Sequence, residues 1–91
     1  VHFRSPVGLR HPLLEVCLKR AGLEFISWRL RTYDTKPRSR DWLLGRVLSE
    51  VAPGDIILLH DNGSAEVAAM HALLPELIDR LRARGFDFVL P

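Results

Sequence analysis

The chain has 91 residues, a net charge of +2, and 26% charged and 47% hydrophobic residues, the composition of one small globular domain rather than a disordered or fibrous chain. Its 13 basic residues are scattered among 11 acidic ones, so no basic stripe interleaved with aromatics points to a nucleic-acid partner. No apolar run reaches the ~18–20 residues of a membrane span, and the lone Cys17 excludes both a disulfide framework and a thiolate metal site.

The opening VHFRSP reads as the middle of a fold, with Arg4 just past a strand end, and a start on Val1 instead of methionine suggests a fragment or processed product. Residues 10–21 read as a helix, with Pro12 in its first turn and Gly22 as its stop. Leu13, Leu14, Cys17, Leu18 and Ala21 share helical spacing, which predicts Cys17 as a small core residue. LEFISWRL, 23–30, is expected to be one strand, followed by a turn at Pro37. Ser39 can cap a helix over 40–51 whose buried stripe is Leu44, Val47, Leu48 and Val51.

Pro53 and Gly54 make a turn before a strand from Asp55 to His60. Ser64 is expected to cap a long helix over 66–84, with Leu74, Leu77, Ile78 and Leu81 buried and His71 in the core or at its boundary. Pro75 predicts a kink or a late start near residue 73, and FDFVL, 86–90, a last strand. Strands alternating with helices predict an α/β fold of parallel strands, either an open doubly wound sheet or a segment of a (β/α) barrel. Both architectures place ligands at the C-terminal ends of strands.

Arg4, Asp34 and His60 all fall at such ends. An imidazole there can give or take a proton near neutral pH. A carboxylate beside an imidazole favours its protonated, acid form, and Asp34 is the natural partner. Leu58, two residues before His60, projects to the same face as the imidazole, and Arg4 can hold an anionic group through its forked donors. Taken singly, these are also an ordinary loop histidine, a turn aspartate and a surface arginine; only their common placement suggests a site. The histidines show no H-x-x-x-H or H-E-x-x-H spacing, and no G-x-G-x-x-G, P-loop or G-x-S-x-G segment is present.

With these residues assembled, the chain resembles the C-terminal half of the polysaccharide deacetylases of the NodB-homology kind, carbohydrate esterase family 4. FRSPVG, 3–8, is similar to the family's R-x-P segment; WRLRTYDT, 28–35, to its W-x-x-D-x-x-D-W segment; PGDIILLHD, 53–61, to its L-x-H segment. LPELIDRLRARGFDFV, 74–89, is similar to its closing helix and strand. The resemblance implies a partial (β/α) barrel over residues 1–91 that hydrolyses the N-acetyl group of an amino sugar in a glycan or glycolipid. Arg4 would orient a catalytic-base aspartate, Asp34 would tune His60, His60 would protonate the departing amine, and Leu58 would line the pocket for the acetyl methyl.

The family's T-F-D-D-G and H-x-x-x-H segments, which carry its base and the ligands of its divalent metal, usually zinc, have no counterpart in this chain. The resemblance therefore implies that those groups lie in a missing N-terminal half, and that this portion alone is inactive. Arg31 stands where the family has its first aspartate and Thr35 where it has tryptophan; Arg31 could favour a negatively charged substrate. Half a barrel would leave strand edges and helix faces uncovered, which predicts self-association of the isolated chain. The alternatives are a non-catalytic glycan-binding remnant and a small α/β interaction module.

Overall fold

The computed structural model covers residues 1–91. Four short strands, β1 (His2–Phe3), β2 (Glu24–Phe25), β3 (Leu30–Arg31) and β4 (Ile57–Leu58), alternate with three helices, α1 (Leu14–Ala21), α2 (Arg40–Glu50) and α3 (Ala65–Ala83). β1 pairs with β2, and β3 with β4, both in parallel, with Phe3 opposite Phe25 and Arg31 opposite Leu58. The segment from 24 to 31 thus lies between β1 and β4, paired to one by its first residues and to the other by its last. The parallel α/β class holds as expected, as a small fragment of such a fold.

The expected continuous strand over 23–30 is broken. The amides of Arg29 and Leu30 both donate to the Ile56 carbonyl, at 3.2 and 3.3 Å, and two donors on one acceptor put two residues against one and interrupt the ladder. Arg29 is turned aside to make an ion pair with Asp55 and to donate to the Glu50 carbonyl. β4 is likewise shorter than the expected 55–60. The final strand over 86–90 does not form: these residues border a cavity of about 380 Å³ between β4 and α3, lined by Ile57, Leu59, Leu77, Leu81, Phe86 and Phe88. No ladder reaches them, and Phe88, Val89 and Leu90 stay exposed.

α2 starts as expected, with the Ser39 hydroxyl accepting from the Trp42 amide at 3.1 Å. Ser64 caps α3 in the same way through the Val67 amide, at 3.2 Å. The core lies between α2, α3 and the β3–β4 pair, where Leu30, Leu43, Leu44, Val47, Met70, Leu73, Leu77 and Leu81 form one buried cluster. The buried line on α3 begins earlier than expected, at Val67, Met70 and Leu73, leaving Leu74 and Ile78 half-buried at its margin. Pro75 does not delay this helix, which starts at Ala65 and runs through the proline with buried Leu73 and Leu77 on either side of the lost hydrogen bond.

α1 begins at Leu14, four residues later than expected, because residues 11–13 form a turn in which the His11 ring accepts the Leu13 amide. It ends as the sequence indicates: Gly22 takes the left-handed conformation, φ +69°, and Leu23 and Gly22 donate back to the carbonyls of Leu18 and Lys19. Only Leu18 of this helix is buried. Cys17, expected in the core, is exposed, as are Leu13 and Val16, because α1 packs through a single line against β2. The radius of gyration, 15.1 Å, exceeds the roughly 12 Å of a compact domain of this length, so the chain is more extended than a compact domain of its size. No helix is long and apolar enough to cross a membrane.

Candidate active site

Beyond β3 the side chains continue to alternate. Thr32 and Asp34 turn inward, each 1% exposed, and Tyr33 between them turns out. Tyr33 does so with φ +58°, a left-handed conformation that costs a non-glycine residue on the order of 1–3 kcal/mol and is held only by its surroundings. Beyond β4 the chain reaches His60 in two residues. The Asp34 carboxylate meets it twice: Oδ2 accepts the His60 amide N–H at 2.7 Å, and Oδ1 lies 2.7 Å from Nδ1. The carboxylate is fully buried while the imidazole is 42% exposed, so one face of the ring is anchored and the other open.

Burial pushes the Asp34 carboxyl up, but the bonds from the His60 backbone and ring, together with the ring's positive charge, outweigh it and hold the carboxyl below the ordinary carboxylate range. An ionised Asp34 can only accept, so the proton between it and the imidazole belongs to Nδ1. Nε2 of His60 makes no hydrogen bond within the chain. Two further bonds fix this corner. The Thr32 hydroxyl donates to the Leu58 carbonyl at 2.8 Å, tying the ends of β3 and β4 together. His71 of α3 places Nε2 3.0 Å from the His60 carbonyl, and because a carbonyl only accepts, that nitrogen carries a proton.

His71 is exposed instead of belonging to the core or its boundary, and its bond to His60 had no signal in the sequence beyond a polar residue on an apolar helix. Asp34 and His60 are the expected residues the structure brings into contact. Leu58 is buried on β4 opposite Arg31. Arg4 lies just past β1, exposed, and makes no ion pair or hydrogen bond within the chain. The Arg29–Asp55 ion pair, unsignalled in the sequence, sits at the opposite end of β4. Asp55 also accepts the Ala52 amide at 2.8 Å, and the bond from Arg29 holds its carboxyl below the ordinary range.

Arg31 lies outside the corner, its guanidinium carbon 5.7 Å from the Trp28 ring and 5.8 Å from the Tyr33 ring. Arg46 follows, 4.8 Å from Tyr33 and 5.9 Å from Trp42, and Arg38 covers Trp42 at 4.4 Å. Such contacts contribute about 0.5–1 kcal/mol each where exposed. Arg46 also donates to the Arg31 carbonyl at 2.7 Å and pairs with Glu50 at 3.2 Å. No three His, Cys, Asp or Glu side chains come together as a site for a metal ion, so the residues of this chain do not by themselves fit the divalent metal that the family resemblance implies.

No protein-family model matches the chain. It is 32% identical over 95 residues to a chitooligosaccharide deacetylase of Azorhizobium caulinodans, covering 93% of this chain and 45% of that protein. It is 33% identical over 97 residues to a peptidoglycan-N-acetylglucosamine deacetylase of Bacillus cereus, covering 96% and 41%. A chitooligosaccharide deacetylase of Sinorhizobium fredii is 34% identical over 92 residues, covering 87% and 43%. Over nearly its whole length the chain is thus similar to part of these three deacetylases. It corresponds to their C-terminal part and spans less than half the length of these relatives.

Proposed function

We propose that residues 1–91 form the C-terminal part of the catalytic domain of a metal-dependent N-deacetylase acting on acetylated amino sugars of a glycan or glycolipid. The observation that carries this reading is the Asp34–His60 pair, a buried carboxylate holding the backbone and Nδ1 of an accessible histidine at the end of parallel strands. The relatives named as chitooligosaccharide and peptidoglycan-N-acetylglucosamine deacetylases supply the substrate class. In this reading the strands continue a (β/α) barrel whose other strands belong to the rest of the protein. The exposed Val7, Leu9, Leu13, Phe88, Val89 and Leu90 are the surfaces it covers.

His60 is the general acid. With Nδ1 committed to Asp34, Nε2 holds the proton that passes to the amine nitrogen as the acetamide C–N bond breaks. Asp34 is a positioning residue that fixes the ring and its tautomer. Arg4, without a partner inside this chain, orients the carboxylate base supplied from outside it, and Leu58 backs the acetyl methyl. A divalent metal, zinc by family resemblance, would supply Lewis acidity at the amide carbonyl. Its ligands belong to the part of the protein outside this chain.

The test is acetate release from an N-acetylglucosamine oligosaccharide by the full-length protein. His60→Ala is expected to lower kcat about 10²–10⁴-fold with bound metal unchanged. Loss of the metal along with activity would make His60 a ligand and sink the assignment. Glycan binding by the wild type without acetate release from any N-acetylated glycan would leave the non-catalytic, glycan-binding reading in its place.

A further inference from the structure

We infer that the outer edge of this site binds an anionic saccharide, a carboxylate-bearing sugar next to the N-acetylated one in the same glycan. The inference rests on the deacetylase reading only for the location of the reacting sugar. What it adds comes from one row of side chains in strict alternation: Trp28, Arg31, Tyr33, Arg46, Trp42 and Arg38. The row is joined to the Asp34–His60 corner through the backbone. Tyr33 precedes Asp34 directly, and its left-handed conformation sends its ring outward while the carboxylate turns in.

The rings already carry guanidinium groups. Tyr33 meets two of them, Arg31 and Arg46, and so does Trp42, with Arg46 and Arg38. What the row offers is therefore less an aromatic platform for a neutral sugar than a set of held arginines. A guanidinium restrained by a ring keeps its in-plane N–H fork, the geometry that meets a carboxylate with two parallel hydrogen bonds. Of the three arginines only Arg46 is ion-paired, to Glu50. Arg31 and Arg38 have no carboxylate within salt-bridge distance, and neither has Lys36 in the turn between them.

Two cations, oriented and unneutralised beside a strand end that faces substrate, call for an anion in the ligand. A linear glycan that alternates amino sugars with acidic sugars brings that anion already attached to the reacting residue.

The test compares two hexasaccharides by calorimetric titration of the full-length protein at low salt: alternating N-acetylglucosamine and glucuronate, and N-acetylglucosamine alone. The acidic one is expected to bind about tenfold more tightly or better, the worth of one charge-assisted bidentate pair. In Arg31→Gln/Arg38→Gln the ratio should fall to about one. Should the double variant fail to fold, Arg38→Gln alone serves, since Arg38 leans on Trp42 from a loop; it should lower the ratio at least about threefold. Equal affinities in the wild type, or a preference the variants leave intact, would overturn the inference. Acetate release separates the two readings. Acetate from both sugars with equal affinities removes the anionic subsite and keeps the deacetylase. A charge preference without acetate from either removes the deacetylase and keeps the subsite.

Discussion

Asp34 holds His60 by two different atoms, Oδ2 accepting the backbone N–H and Oδ1 facing the ring Nδ1, each at 2.7 Å. The first bond sets where the histidine stands on its strand end, and the second sets how its ring is turned. A carboxylate can satisfy both because it has only acceptors, and it stays ionised in the interior because both neighbours favour its charge.

Asp34→Asn should therefore do more harm than its size suggests. An amide offers one oxygen where the carboxylate offered two, so either the backbone N–H or Nδ1 meets an NH₂ group. The expected cost is about 1–3 kcal/mol of stability. If His60 is the general acid, as proposed, deacetylation by the full-length protein should fall at least about 10²-fold in kcat with KM moving far less, because the variant misplaces the ring without removing a glycan contact. A loss confined to KM would show that Asp34 serves binding and not His60.

The same pair sets an acid limit. Asp34 has a folded-state pKa below its unfolded value of about 3.9. Its contribution is fully present above the unfolded value and is lost as pH falls through the folded one. The wild type's stability advantage over Asp34→Asn should accordingly narrow as pH drops below about 4 and vanish once pH lies below the lowered folded-state value. Urea unfolding of both proteins across that range checks this. An advantage that grows on acidification would mean the carboxyl is protonated in the fold.

Much of this corner was legible from local rules. Strand ends collect chemistry in parallel α/β folds, and a histidine closing a run of aliphatics has no packing reason to be there, so Asp34 and His60 stand out. Ser39, Ser64 and Gly22 announce helix ends because capping depends on one or two neighbours. The features that escaped depend on partners far along the chain. The break between β2 and β3 comes from Ile56 accepting two amides, and the left-handed Tyr33 from its place between Arg31 and Arg46. Helical spacing groups Cys17 with Leu18, but whether that face is covered depends on what packs against it. The same holds for 86–90, whose residues suit a strand but find no ladder to join.

Burial separates two hydrogen bonds of similar length. The Thr32 hydroxyl reaches the Leu58 carbonyl at 2.8 Å in a buried setting, whereas His71 reaches the His60 carbonyl at 3.0 Å in an exposed one. Thr32→Val keeps the shape and strands the carbonyl away from water, and should cost about 1–3 kcal/mol. His71→Ala lets water take the vacated place and should cost less than about 1 kcal/mol. Urea midpoints at constant slope give both numbers. Equal losses would mean that the His71 bond also bears on the packing of α3 against the strands.

Gly8 controls the start of the arginine–aromatic row. Its φ is +71°, and a Cβ there would lie 2.8 Å from Cη2 of Trp28 and 3.1 Å from Cζ2, closer than a side chain can come without the ring moving. Gly8→Ala thus combines left-handed strain of about 1–2 kcal/mol with displacement of the ring on which Arg31 rests, 5.7 Å away. In a Trp42→Phe background, Trp28 is the only tryptophan, and its emission maximum and near-ultraviolet circular dichroism report its position. Gly8→Ala should shift both and lower stability by at least the backbone strain. If the spectra stay put while stability falls, the strain is real but Trp28 has room to spare, and Arg31 keeps its place without Gly8.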